Sequence, residues 1–193
     1  MNIGIYGGSF NPVHYGHLIP VSFAAEAIGA DKIFFVPALT PPHKNSAQLA
    51  DANHRLEMLK LAISDNPLFE ISDIELNKTR SPYTLHLIES FQQRFPDDNI
   101  SLVIGEDSLC SFDKWFDYKR ILDSAHSTVV MVRSGYDLSL VNKNILDKVT
   151  ILETPFVDIS ATMIRDRIAN NLSIRYLTPD NVVKYITSNS LYC

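Results

Sequence analysis

The sequence predicts an α/β fold: a doubly wound, Rossmann-like parallel sheet with helices on both faces, formed by one domain over residues 1–193. Three observations predict it. Apolar, β-branched runs alternate with helix-period segments from one end of the chain to the other. Ile100–Ile104 is short, β-branched and almost wholly apolar, as a strand buried on both faces of a parallel sheet should be. No stretch is long enough to link two domains, the nearest being the mildly polar Ser134–Lys148.

Ile3–Tyr6 reads as the first strand. After a glycine turn, a periodic apolar helix runs from Leu18 to Ile28, with Gly29 positioned to cap its C-terminus. Lys32–Leu39 is a second strand, which its internal proline should end near Val36. Thr40–Asp51 is polar, holds a double proline and is expected to be a mobile loop. Leu56, Leu59, Lys60 and Ile63 follow i, i+3, i+4, i+7 spacing, which predicts a helix over Asn53–Ser64 with the lysine stem at its margin. Phe69–Leu76 alternates apolar and polar residues until Asp73 breaks phase, as a strand near an edge would.

Ser81-Pro-Tyr-Thr opens a helix over Leu85–Phe95 that Pro96 ends. Ser127–Val132 and Val149–Leu152 are further strands. A helix over Ala161–Asn170 follows, and a last one opens at Pro179-Asp180, where proline suits a helix start. Phe23, Phe34 and Phe35 are core by periodicity, and His54, His86 and His126 are read as structural.

Composition narrows the function. A net charge of −5 argues against a broad nucleic-acid-binding surface, while leaving room for a small basic pocket. Cys110 and Cys193 lack any metal-ligand or redox spacing and read as buried or incidental thiols in a reducing compartment. No apolar stretch approaches the roughly 20 residues that span a bilayer, and no leader pattern opens the chain. A cytoplasmic protein with neither membrane nor nucleic-acid partner is expected. Assembly into a homo-oligomer stays open, because no heptad or apolar patch can be isolated.

The most informative stretch is Gly7-Gly-Ser-Phe-Asn-Pro-Val-His-Tyr-Gly-His17. It runs from strand to tight turn to helix, where glycines permit close backbone approach and helix amides face an anion. His14 and His17 are one helical turn apart and share a face. The spacing is neither Gly-x-Gly-x-x-Gly nor Walker A, which leaves a polyphosphate site built with imidazoles in place of a lysine. Two histidines that merely cap a turn would be the plainer reading. Gly105-Glu-Asp107 ends the strand at Ile100–Ile104. If that strand neighbours the first across the point where strand order reverses, both glycine turns face one crevice.

Gly7–His17 resembles the GGSFDP-x-HxGH signature of the nucleotidylyltransferase superfamily, with Asn11 where aspartate is also common. Ile159-Ser-Ala-Thr-Met-Ile-Arg165 is similar to its second signature, ISSTxxR, with Ala161 replacing a serine. Pro41-Pro-His-Lys44, Ser81-Pro-Tyr-Thr84 and Gly105-Glu-Asp107 followed by Trp115 resemble the bacterial nicotinate-nucleotide adenylyltransferases within it.

The resemblance implies in-line transfer of the adenylyl group of ATP to nicotinate mononucleotide, giving deamido-NAD and pyrophosphate. No covalent nucleophile is needed, and no serine or cysteine with a base partner is apparent. Both reactants are anions, so the protein has mainly to offset repulsion and align them. His14 and His17 would donate to phosphate oxygens, and Ser160, Thr162 and Arg165, in the first turn of their helix, would hold the β- and γ-phosphates. Gly7, Gly8, Ser9, Phe10, Gly105 and Asp107 complete the implied ATP site, with Asp107 on ribose hydroxyls. Lys44 would approach the mononucleotide phosphate, Trp115 would stack on the pyridine ring, and Thr84 and Phe116 would offer main-chain amides to its carboxylate. Magnesium is expected to arrive on the ATP phosphates with no carboxylate ligand from the protein.

Two rivals remain at this stage. One is the same chemistry on nicotinamide mononucleotide or phosphopantetheine. The other is a non-catalytic nucleotide-binding module, against which the intact His-x-Gly-His argues.

Overall fold

A computed structural model describes residues 1–38, 49–74, 83–139 and 141–193. Six strands form one sheet: β1 (Asn2–Gly8), β2 (Lys32–Pro37), β3 (Phe69–Ile71), β4 (Asn99–Gly105), β5 (Ser127–Arg133) and β6 (Thr150–Thr154). Their order is β3-β2-β1-β4-β5-β6, and every pairing is parallel. Between and after them come α1 (Tyr15–Ala27), α2 (Ala52–Ile63), α3 (Thr84–Arg94), α4 (Glu106–Leu109), α5 (Tyr118–Ser124), α6 (Lys143–Leu146), α7 (Ala161–Ala169) and α8 (Asp180–Ser188). The doubly wound α/β architecture is therefore the one the alternation predicts.

Period-two alternation builds a core on each face of the sheet. In β2, Ile33 and Phe35 join the cluster beneath α1, α2, α7 and α8, while Phe34 and Val36 join the one beneath α3 to α6. The central strands β1 and β4 alternate in the same way: Ile3 and Ile5 face one side and Tyr6 the other, and Ile100, Leu102 and Ile104 oppose Val103. α1 stops at Gly29, whose φ of +55° an L side chain would resist. There Ala30 N–H bonds the Ala25 carbonyl at 2.8 Å and Gly29 N–H that of Glu26 at 3.0 Å, which closes a Schellman motif.

Several expectations change. Phe23 is 40% exposed, because α1 buries Val21, Ala24 and Ala25, and position 23 falls outside that stripe. The inward face of α2 is Arg55, Met58, Leu59, Ala62 and Ile63, one residue out of step with the expected stripe, and Lys60 is exposed. Its true first member is an arginine, which hydropathy hides. Edge strand β3 is shorter than Phe69–Leu76, though Ser72 N–H still bonds the Phe35 carbonyl at 3.0 Å. Of the two readings of the cysteines, buried or incidental, the structure leaves the second, since both are exposed. The loop expected over Thr40–Asp51 lies mostly outside the described residues, as do Ser81 and Pro82.

Candidate functional site

The sheet order reverses between β1 and β4, which pair directly with Tyr6 opposite Val103. From β1 the chain turns toward α1 on one face, and from β4 toward α4 and Phe112 on the other. Connections that diverge this way open a crevice above the carboxyl ends of the two strands. Gly7-Gly8 and Gly105 both reach it, so the adjacency that the sequence could only suppose is present.

On the β1 side, the turn is built around Phe10, which is fully buried at a φ of +44°. Its ring meets Tyr6 at 5.7 Å, Phe35 at 5.8 Å and His17 at 5.2 Å between centroids. Gly8 makes room for it, since a β-carbon there would stand 2.9 Å from the ring. The Phe10 side chain is sealed in the core, so only its main chain can face a ligand.

His14 is the N-cap of α1 and His17 its third residue. The rings lie 3.8 Å apart, and His14 N–H donates to His17 Nδ1 at 3.3 Å. An accepting Nδ1 leaves the proton of neutral His17 on Nε2, so the outer nitrogen is the donor. An Nε2–H of this kind can donate to an anionic oxygen. Behind the pair, Thr178 Oγ1 donates to the Val13 carbonyl at 2.8 Å and Tyr15 N–H to that of Leu177 at 3.1 Å, which fixes how the chain approaches α1.

The second signature lies against the first. Ser160 caps α7 by accepting Met163 N–H at 3.1 Å. Arg165 is the fifth helical residue, not a member of the first turn as expected, and its side chain leans toward the helix N-terminus. Nη2 donates to Thr162 Oγ1 at 3.2 Å and Nη1 to the main-chain carbonyl of Asn11 at 2.8 Å. At Gly16 a β-carbon would stand 2.7 Å from the Ile159 carbonyl. Two motifs far apart in sequence therefore share one wall.

At the β4 end, a β-carbon on Gly105 would sit 2.8 Å from Asp107 Oδ1. Asp107 is exposed, and Oδ1 accepts Ser108 N–H at 3.0 Å. Thr84 is the first residue of α3, and the neighbouring Tyr83 ring stacks on Phe116 at 4.5 Å and 21°. That stack joins the two segments expected to bind nicotinate. Trp115 is half-buried, 5.0 Å from Phe112, while Phe116 turns outward. Lys44 lies outside the described residues. Among the described residues, no group of three or more His, Cys, Asp or Glu side chains could hold a metal ion, and no helix is long and apolar enough to cross a membrane.

Sequence reasoning missed Arg55. It is 1% exposed, and its guanidinium donates to the carbonyls of Ser9 at 2.9 Å, Ala38 at 2.7 Å and Ala50 at 3.1 Å. Burial pushes its pKa down, with Tyr192 and Asp51 acting the other way. Its signal was present in the i, i+3, i+4, i+7 register of Arg55, Met58, Leu59 and Ala62. Asn11 and Tyr192 were also missed as a pair; the Tyr192 hydroxyl donates to Asn11 Oδ1 at 2.8 Å.

Residues 5–167 match the family described as cytidylyltransferase-like. The nicotinate-nucleotide adenylyltransferase of Escherichia coli O6:H1 is 36% identical, with 97% of each chain covered. Among solved structures, the nicotinic acid mononucleotide adenylyltransferase of Plasmodium falciparum complexed with APC is similar at a TM-score of 0.80. It is 19% identical, and the match covers 99% of this chain and 96% of that one. The same Plasmodium enzyme complexed with NaAD gives 0.79 at 20% identity, covering 99% and 97%. At such identities the structures speak for the fold. The sequence relatives reach further: the chain belongs to the cytidylyltransferase-like family and, within it, to the nicotinate-nucleotide adenylyltransferases.

Proposed function

We propose that this enzyme transfers the adenylyl group of ATP to nicotinate mononucleotide, forming deamido-NAD in NAD biosynthesis. The observation that carries the reading is the bond from Arg165 to the Asn11 carbonyl, which binds both signatures into one wall at the switch point of the sheet. An oxygen of the mononucleotide phosphate attacks the α-phosphorus of ATP in line. The bond from that phosphorus to the bridging oxygen breaks, and pyrophosphate leaves with the electron pair.

His17, through Nε2–H, and His14 beside it would donate to oxygens that gain charge in the transition state, assisted by the N-terminal dipole of α1. Ser160, Thr162 and Arg165 would hold the departing pyrophosphate, and the main chain of Gly7 to Phe10 would border ATP. Asp107 would take the ribose hydroxyls beside Gly105. Thr84 and Phe116 would present amides to the nicotinate carboxylate, Trp115 would stack on its ring, and Lys44 would meet its phosphate. ATP would enter as its magnesium complex, with phosphate oxygens and water as the ion's ligands. Nucleotide substrates of this kind make the cytoplasm the expected compartment.

Pyrophosphate release, followed with ATP and each acceptor in turn, tests the assignment. Nicotinate mononucleotide should turn over fastest; faster turnover of the amide or of phosphopantetheine would overturn it. His17→Ala should lower kcat by more than tenfold, equivalent to about 1.4 kcal/mol.

A further inference from the structure

Asn11 is the residue on which separate parts of the chain converge. It is buried, and its Oδ1 accepts both the Ala50 N–H at 3.0 Å and the Tyr192 hydroxyl at 2.8 Å. Its main-chain carbonyl accepts Arg165 Nη1 at 2.8 Å. One asparagine is thus gripped from the start of α2, from α7 and from beyond α8. Two donors aimed at a single amide oxygen decide which way the amide faces. Burial pushes the Tyr192 phenol well up, so it remains a donor at any ordinary pH. The rest of the ring packs on the apolar cluster beneath α1, α2, α7 and α8.

From this chain of contacts we infer that Tyr192 is a positioning residue for the nucleotide site. Its hydroxyl holds the Asn11 side chain; Asn11, held there, presents the carbonyl that aims Arg165; and Arg165, with Thr162, faces the leaving pyrophosphate. The inference rests on the phosphate role proposed for Arg165. It also gives the segment after α8 a function that its own composition does not advertise. Tyr192 touches no substrate in this scheme. Its hydrogen-bonded contribution passes through Asn11.

A double-mutant cycle separates this from simple packing. Tyr192→Phe keeps the ring and removes one hydrogen bond, so kcat should fall between about twofold and about tenfold. The KM for nicotinate mononucleotide should not change, because the acceptor lies on the other side of the α-phosphorus. In an Asn11→Ala background, Tyr192→Phe should cause no further loss. A lower melting temperature with kcat intact, or losses that multiply in the double variant, would show that Tyr192 acts as packing alone. The cycle is also run on affinity for a non-hydrolysable ATP analogue by calorimetry. That second readout survives if the acceptor assignment is wrong, since it needs no turnover. A non-additive loss of analogue affinity supports the inference on its own, and independent effects overturn it.

Discussion

The carbonyl oxygen of Ile159 lies 2.7 Å from where a β-carbon on Gly16 would stand. The same β-carbon would crowd His14 Nδ1, at 2.9 Å. Glycine at this position therefore serves contact within the protein: it lets α1 and the segment leading into α7 close on each other.

Gly16→Ala should separate the two signatures. Overpacking of this kind costs about 1–3 kcal/mol, and the displacement falls on His14 and, through Asn11, on Arg165. The expected outcome is a lower melting temperature together with a kcat reduced by about tenfold or more, measured on the same preparation. Wild-type turnover would mean that the contact has slack.

Arg55→Met should destabilise the fold by about 2 kcal/mol, because the part-buried carbonyls of Ser9, Ala38 and Ala50 lose their donor. Arg55→Lys should recover only part of this. A single ammonium cannot reach carbonyls arranged for a planar fork. Urea unfolding of the two variants checks the order; equal stability of Lys and Met at this position would remove the fork geometry from the explanation.

The two aromatic positions that looked alike in sequence should behave oppositely. Phe35 is fully buried at the centre of one core, so Phe35→Ala should cost about 3–5 kcal/mol. Phe23→Ala, on the exposed side of α1, should stay within about 0.5–1 kcal/mol of wild type. Thermal denaturation distinguishes them directly.

A pH effect is expected at the end of β5. The Tyr136 hydroxyl and Cys110 Sγ lie 2.6 Å apart, and that bond, reinforced by burial, pushes the phenol up to about 12 from its ordinary 10.0. The fold favours the neutral phenol. Its contribution to stability is therefore whole below pH 10 and is lost as pH rises from there through about 12. A difference titration of tyrosinate absorbance, Cys110→Ala against wild type, should move one midpoint back toward 10. An unchanged midpoint would discard the hydrogen bond as the cause.

How much of this was legible depends on the range of the interaction. Strands β1, β2, β4 and β5 were readable because a short, β-branched apolar run bounded by turn residues is a local signal, and Gly29 was readable because its capping bonds span only a few residues. α2 was found but turned by one position, since the residue at the head of its buried face is an arginine whose acceptors are carbonyls with no sequence signature. Phe23 failed for a related reason: in a helix apolar nearly all round, periodicity cannot say which side faces the sheet. Of the site, the histidine pair and Ser160–Arg165 were recognisable as motifs, yet nothing local indicated that Arg165 reaches Asn11. Tyr192 was beyond reach altogether, because its partner is 181 residues away.

That separation has a bearing on how the enzyme is born. A nascent chain holds residues 7–17 well before the groups that steady them: Arg165 comes 154 residues after Asn11, and Tyr192 later still. β4, which completes the switch point, must also emerge and insert beside β1 first. The phosphate-facing turn is consequently unsupported until those residues emerge, and catalytic competence should appear abruptly once Tyr192 is in place rather than grow with chain length.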